Sequence, residues 1–244
     1  MILPECASHP YGFKSRADID LWAEELDGST VRFWESLAAE WNIYLVGGIL
    51  ERSTQGFFNT AVLIGPTGCL GHYRKMHRFG WEQDWLSFGE SLKVWRIKSL
   101  ELTLGLLICY DLRFSYLVSA LALAGADLIA VPTTWTSIGK TRLFDEVGYA
   151  PADHLVLGYA YAHRLFIAAS GRVGQESGVR YLGSSLVAGP NGMAMAGPLS
   201  VERPESAVVD LVVSQARTKR VGTNQLDHDW RWVPDIPVEI DEVE

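Results

Sequence analysis

Apolar residues recur at three- and four-residue spacing through Phe33, Trp34, Leu37, Ala38 and Trp41, which predicts a core-facing helix capped by Ser29 and Thr30. The apolar runs over residues 43–50 and 57–64 predict strands, and Pro66-Thr67-Gly68 closes a turn into a third strand over residues 69–75. Strands joined by so short a turn form a hairpin, so the sheet is not purely parallel. Residues 92–97 alternate, whereas residues 102–109 are continuously apolar, as a strand buried on both faces requires. That second run ends on Cys109.

Beyond it, residues 113–124 predict a helix stopped by Gly125, and residues 127–132 a further buried strand running into Thr133-Thr134-Trp135. The unit is strand, helix, strand. Residues 151–164 predict another helix, followed by strands near 166–169, 184–188 and 207–213, with a turn at Pro190-Asn191-Gly192. No repeat, low-complexity tract or linker divides the chain, so its 244 residues are read as one α/β domain, 1–244. The stretch after Arg217 carries Trp230, Trp232 and two prolines without a strong period, and is expected to cross to a partner subunit.

Charge and cysteine content narrow the partners. The 21 Lys and Arg against 29 Asp and Glu leave a formal charge of -8 with no basic cluster, which argues against nucleic acid or an anionic membrane. No apolar run approaches the roughly 20 residues needed to span a bilayer, and the first residues lack the features of a secretory signal. Cys6, Cys69 and Cys109 are odd in number and widely spaced, with no metal-ligand spacing, which fits a reducing cytoplasm better than disulfides or zinc.

Cys109 is the first candidate for chemistry. It closes a buried strand and is followed at once by Tyr110-Asp111-Leu112-Arg113 and a helix. A nucleophile on such a turn is rigidly held, with a backbone N–H beside it for a developing oxyanion. Position alone is weak, because free cysteine is commonly a small buried hydrophobe. A thiol also needs a neighbouring base or cation to act at neutral pH, and Tyr73-Arg74-Lys75-Met76-His77 offers one at a strand end. A Cys-His pairing is disfavoured, because nothing selects one of the six histidines.

Leu3-Pro4-Glu5, Tyr73-Arg74-Lys75 and Cys109-Tyr110-Asp111-Leu112-Arg113-Phe114 occur in an order that resembles the nitrilase, or carbon-nitrogen hydrolase, superfamily. Gly125-Ala126-Asp127 with Pro132 and Trp135, then Gly183-Ser184-Ser185 with Pro190 and Gly192, extend the resemblance over nearly the whole chain. It implies a four-layer α-β-β-α sandwich and a Glu-Lys-Cys triad. Glu5 becomes the general base, Lys75 the cation for the tetrahedral intermediate and Cys109 the nucleophile. Glu82 would support the lysine and substrate, the Tyr110 N–H would be a second oxyanion donor, and Trp135 a pocket wall. His77 and Arg113 are read as structural.

The Cys-Tyr-Asp sequence looks more like amidases, omega-amidases and carbamoyl-amide hydrolases than nitrilases. The resemblance therefore implies a small linear amide or carbamoyl substrate, a cysteine thioester, release of ammonia, and no metal or organic cofactor. It also implies a homodimer or larger homo-oligomer. The alternatives are a nitrile hydrolase, or an impaired member serving as a binding or assembly subunit. Three departures stand out. Relatives carry a strand and helix before their Pro-Glu segment, so this chain reads as N-terminally truncated, with an exposed sheet edge and Glu5 near a fraying end. Ser115-Tyr116 replaces Pro-Glu, and Ala162-His163 replaces Glu-Asn.

Overall fold

The computed structural model describes residues 1–136, 144–176, 178–217 and 236–244. The first layer is helical: α1, Arg16–Trp22, and α2, Ser29–Trp41. Ser29 is the first helical residue of α2 and Gly28 its N-cap, so the expected side-chain cap is absent; Glu24 instead accepts from the Thr30 N–H at 2.9 Å. The buried stripe of α2 is Val31, Trp34 and Ala38, against Leu45, Ile49, Val62 and Ile64. Phe33 and Trp41, expected on that face, are instead exposed. At about 100° per residue, position 33 turns away from the stripe centred on 31, 34 and 38, whereas Trp41 lies on the side of Trp34 and is exposed as the last residue of the helix.

Beneath α2 lies a three-stranded antiparallel meander of β1, Leu45–Ser53, β2, Gly56–Gly65, and β3, Gly68–Arg74, which confirms the hairpin. The N-terminal residues run parallel to β1, with Val46 N donating to Met1 O at 2.9 Å, Leu3 N to Val46 O at 2.8 Å and Ala7 N to Gly48 O at 2.8 Å. Glu5 is thus pinned and fully buried rather than fraying.

The short helix α3, Glu82–Trp85, leads to β4, Leu92–Ile97, then β5, Leu102–Leu106. After a tight 3-10 turn over Cys109–Arg113 come α4, Ser115–Leu123, β6, Leu128–Thr133, α5, Pro151–His163, and β7, Phe166–Gly171. The chain continues through a small hairpin, β8, Gln175–Glu176, and β9, Val179–Arg180. It ends with β10, Leu186–Ala188, β11, Ala194–Ala196, and β12, Val238–Val243. The second sheet has the order β11-β10-β7-β6-β5-β4-β12. Its centre, β5-β6-β7, is parallel, as the strand-helix-strand pattern requires.

Two predicted features differ. Residues 207–213 form no strand: the alternating valines have no ladder among the described residues, and Val208 is 95% exposed. The C-terminal segment pairs within its own chain, β12 lying parallel to β4, with Lys93 Nζ 2.8 Å from Asp241 and 3.4 Å from Glu239. Its acidic side chains find partners on a lysine-bearing edge, which a search for apolar periodicity does not register. Trp230 and Trp232 lie outside the described residues.

The two sheets pack face to face around Val46, Leu63, Tyr73, Trp95 and Leu106, while α4 and α5 cover the far side with Leu117, Leu121 and Val156. These are the four expected layers. Trp95 is fully buried and reaches across to β3, where a Cβ added to Gly71, whose φ is +152°, would stand 2.8 Å from its Nε1. Gly71→Ala is expected to cost about 1–3 kcal/mol through overpacking, seen as a lower thermal midpoint; an unchanged melt would contradict this account of the sheet interface.

Candidate active site

In a parallel sheet the C-terminal ends of neighbouring strands share one edge, where functional residues gather. Here β5 delivers Cys109 and β6 delivers Thr133 and Thr134. Cys109 opens the 3-10 turn with φ +47°, a left-handed conformation uncommon for a residue with a Cβ. Buried Asp111 holds that turn. It accepts from Tyr73 Oη at 2.9 Å, Ile108 N at 3.2 Å and His77 N at 2.9 Å. The Cys109 turn is thereby tied to the strand end that carries Lys75.

His77 belongs to the same brace. Its Nδ1 lies 3.0 Å from Asp111, its Nε2 2.6 Å from Tyr116 Oη, and its ring stacks on Phe114 with centroids 3.5 Å apart. The Ser115-Tyr116 departure therefore supplies a hydroxyl that anchors this histidine. Arg113 lies over the Tyr110 ring at 5.6 Å. His77 thus braces the Cys109 turn, and Arg113 is exposed.

Lys75, just past β3, is buried, and its Nζ donates to Glu5 Oε1 at 2.8 Å and to Glu82 at 2.9 and 3.0 Å. Asn59 Nδ2, from β2, bridges the same carboxylates at 2.7 Å to Glu5 and 2.6 Å to Glu82. The Phe79 N–H donates to Glu82 at 2.7 Å, and the Thr134 hydroxyl donates to Glu5 Oε2. Burying two carboxylates with one ammonium is costly unless further hydrogen bonds support the carboxylates, and these donors supply them. Room for Glu5 comes from Gly48 on β1, where a Cβ would stand 2.6 Å from Cys6 N and 2.8 Å from Glu5 Cα.

The structure thus brings together Glu5, Lys75 and Glu82 beside Cys109. Asn59, Thr133 and Thr134 join them, with no role expected from the sequence. An asparagine inside the apolar run of β2 is the signal that could have found the first, since buried polar groups need partners. Tyr110 is half-buried with its ring against Phe79, 5.1 Å between centroids. Trp135 is half-buried and packs on the main core. Cys6 is buried next to Glu5, and burial drives its thiol well up.

The charge states follow from this packing. Burial works against an ionised Glu5, but the Lys75 charge and hydrogen bonds from Lys75, Thr134 and Asn59 outweigh it and hold Glu5 below the usual carboxylate range. For Glu82 burial prevails and, with the Glu5 charge acting in the same sense, raises it. Lys75 loses to burial but gains more from its carboxylates, which lift it well above its ordinary value. Burial, then the Glu5 charge, push the Cys109 thiol up to about 12, opposed by Lys75, the Thr133 hydroxyl and the Thr134 N–H. A base or cation was expected to make Cys109 a thiolate; in this resting site the thiol is neutral.

The family model described as carbon-nitrogen hydrolase matches residues 1–220. A nitrilase from Pyrococcus abyssi is 29% identical over 223 residues, covering 91% of this chain and 79% of its own. Omega-amidase NIT2-B of Xenopus laevis is 31% identical over 201 residues, 72% of this chain and 71% of that protein. Among solved structures, a mutant of the amidase from Nesterenkonia sp. AN1 superimposes with a TM-score of 0.72 at 26% identity, covering 91% of this chain and 80% of that one. It shows covalent addition of the acetamide moiety of fluoroacetamide at the active site cysteine.

Removing the central cation tests the network. Lys75→Met strands two buried carboxylates and is expected to cost about 3–5 kcal/mol at neutral pH. Without Lys75 both carboxyls titrate above their unfolded values, so the variant is most stable below those values and loses stability as pH rises through the folded ones. Urea melts should show a deficit that shrinks in mild acid and widens in mild alkali; one independent of pH would contradict the assigned charges.

Proposed function

Because the chain belongs to the carbon-nitrogen hydrolase family and is a cysteine-dependent amidohydrolase, we propose that it cleaves a small linear amide or carbamoyl compound through a thioester on Cys109, releasing ammonia. The observation that carries this reading is the division of charge around Cys109. Lys75 is a fixed ammonium and cannot take the thiol proton, whereas Glu5 is an ionised carboxylate whose field acts directly on that thiol.

The thiol proton passes to Glu5 as Sγ attacks the substrate carbonyl, so the thiolate never has to accumulate. Negative charge moves to the carbonyl oxygen, where Lys75 Nζ and the Tyr110 backbone N–H are the assigned donors. The tetrahedral intermediate collapses: the C–N bond breaks, Glu5 returns its proton to nitrogen, and ammonia leaves. Glu5 then takes a proton from water, whose oxygen attacks the thioester, and the carboxylic acid departs with Sγ reprotonated. Glu82 and Asn59 keep Lys75 and Glu5 in register throughout. Trp135 is assigned to the pocket wall.

The omega-amidase and amidase likenesses favour an amide, and the nitrilase likeness makes a nitrile the second reading. A panel of small amides, carbamoyl compounds and nitriles, assayed for ammonia, separates them. Amide turnover is expected, lost at least a thousandfold in Cys109→Ala and unaffected by chelators, because side-chain charges supply the electrostatics. Fluoroacetamide should modify Cys109 in a Cys69→Ser background, which removes the exposed competing thiol. Full turnover by Cys109→Ala would overturn the mechanism, and turnover of nitriles alone would overturn the substrate class.

A further inference from the structure

We propose that Thr134 is a positioning residue for the general base, its hydroxyl presenting Glu5 Oε2 to the Cys109 proton; the proposal rests on the amidohydrolase reading above. The two oxygens of Glu5 are not equivalent. Oε1 receives Lys75 Nζ at 2.8 Å and Asn59 Nδ2 at 2.7 Å, which fills both of its lone-pair directions. Oε2 receives the Thr134 hydroxyl, one donor for two lone pairs. Oε2 is therefore the oxygen with room for an arriving proton, and Thr134 fixes where its free lone pair points.

Thr134 also acts on the other partner in the transfer. Its backbone N–H favours the Cys109 thiolate, as does the neighbouring Thr133 hydroxyl. Thr134 is 2% exposed and follows β6 directly, so one rigid, β-branched residue donates to the carboxylate that takes the proton and acts on the thiol that gives it.

The groups facing Glu5 are Lys75 after β3, Glu82 on α3, Cys109 on the turn, and Cys6, His9 and Tyr11 on the N-terminal segment. Each is unaltered in a Thr134 variant, so a change in the acid limb of the rate profile reports the lost hydroxyl. With its donor gone, ionised Glu5 is less favoured and is neutralised at higher pH.

The test compares Thr134→Val, Thr134→Ala and Thr134→Ser with the wild type by kcat and KM for a small amide across pH. The rate of Cys109 alkylation by fluoroacetamide across pH is a second readout that needs no turnover. In both Val and Ala variants kcat should fall about ten- to a hundredfold with KM little changed, and the acid limb should move up by about one pH unit or more. Ser should restore both to within a few-fold. Two buried variants guard against misfolding of one. An acid limb that stays in place in Val and Ala, or a Ser variant as impaired as Val, overturns the proposal. Absence of wild-type amide turnover overturns the amidohydrolase reading instead, and the alkylation profile then still decides the role of Thr134.

Discussion

The ammonium of Lys75, buried between the carboxylates of Glu5 and Glu82, is the constraint around which the molecule is arranged. An ion triad out of water needs hydrogen bonds besides its own charges, and they come from all over the chain: Asn59 on β2, Phe79 before α3, Thr134 after β6. Each lies on a different segment. The network therefore exists only in the folded sandwich, and it fixes the segments relative to one another at the same time as it fixes the charges.

Asymmetry in the triad gives it chemistry. The two carboxylates that share the cation are pushed apart: the Lys75 charge and hydrogen bonds from Lys75, Thr134 and Asn59 hold Glu5 low, while burial, then the Glu5 charge, raise Glu82. The carboxylate held ionised is the one whose charge bears on Cys109. A thiol pushed up to about 12 beside an ionised carboxylate is neutral at rest. Asp111 and His77 make the supporting contribution, locking the Cys109 turn to the Lys75 strand end so that the charges stay in register.

Much of this was legible in the sequence because the chemistry-bearing residues sit at the ends of strongly patterned strands. The continuous apolar run into Cys109 and the strand ending in Thr133 and Thr134 were legible as a strand-helix-strand unit, and the structure pairs the two strands in parallel so that both ends share one sheet edge. Illegible were properties that arise only across the fold. Thr134 meets Glu5 over 129 positions of sequence, and the neutrality of Cys109 comes from desolvation, which no local motif encodes. Patterning also misled where partners decide: residues 207–213 alternate like a strand but have no ladder among the described residues, whereas acidic Val238–Val243 becomes one because β4 carries a lysine to receive it. On α2, spacing gave the helix but not its exposed positions, Phe33 lying off the buried stripe and Trp41 at the helix end.

The central claim is that Glu5 and Lys75 serve a covalent reaction at Cys109. The most direct measurement is an acid quench of the enzyme during turnover of a small amide, followed by peptide mapping of the trapped acyl group. The account predicts a thioester-linked acyl group on the peptide carrying Cys109. An acyl group on any other residue, or undiminished turnover with the Cys109 thiol fully alkylated, would contradict it.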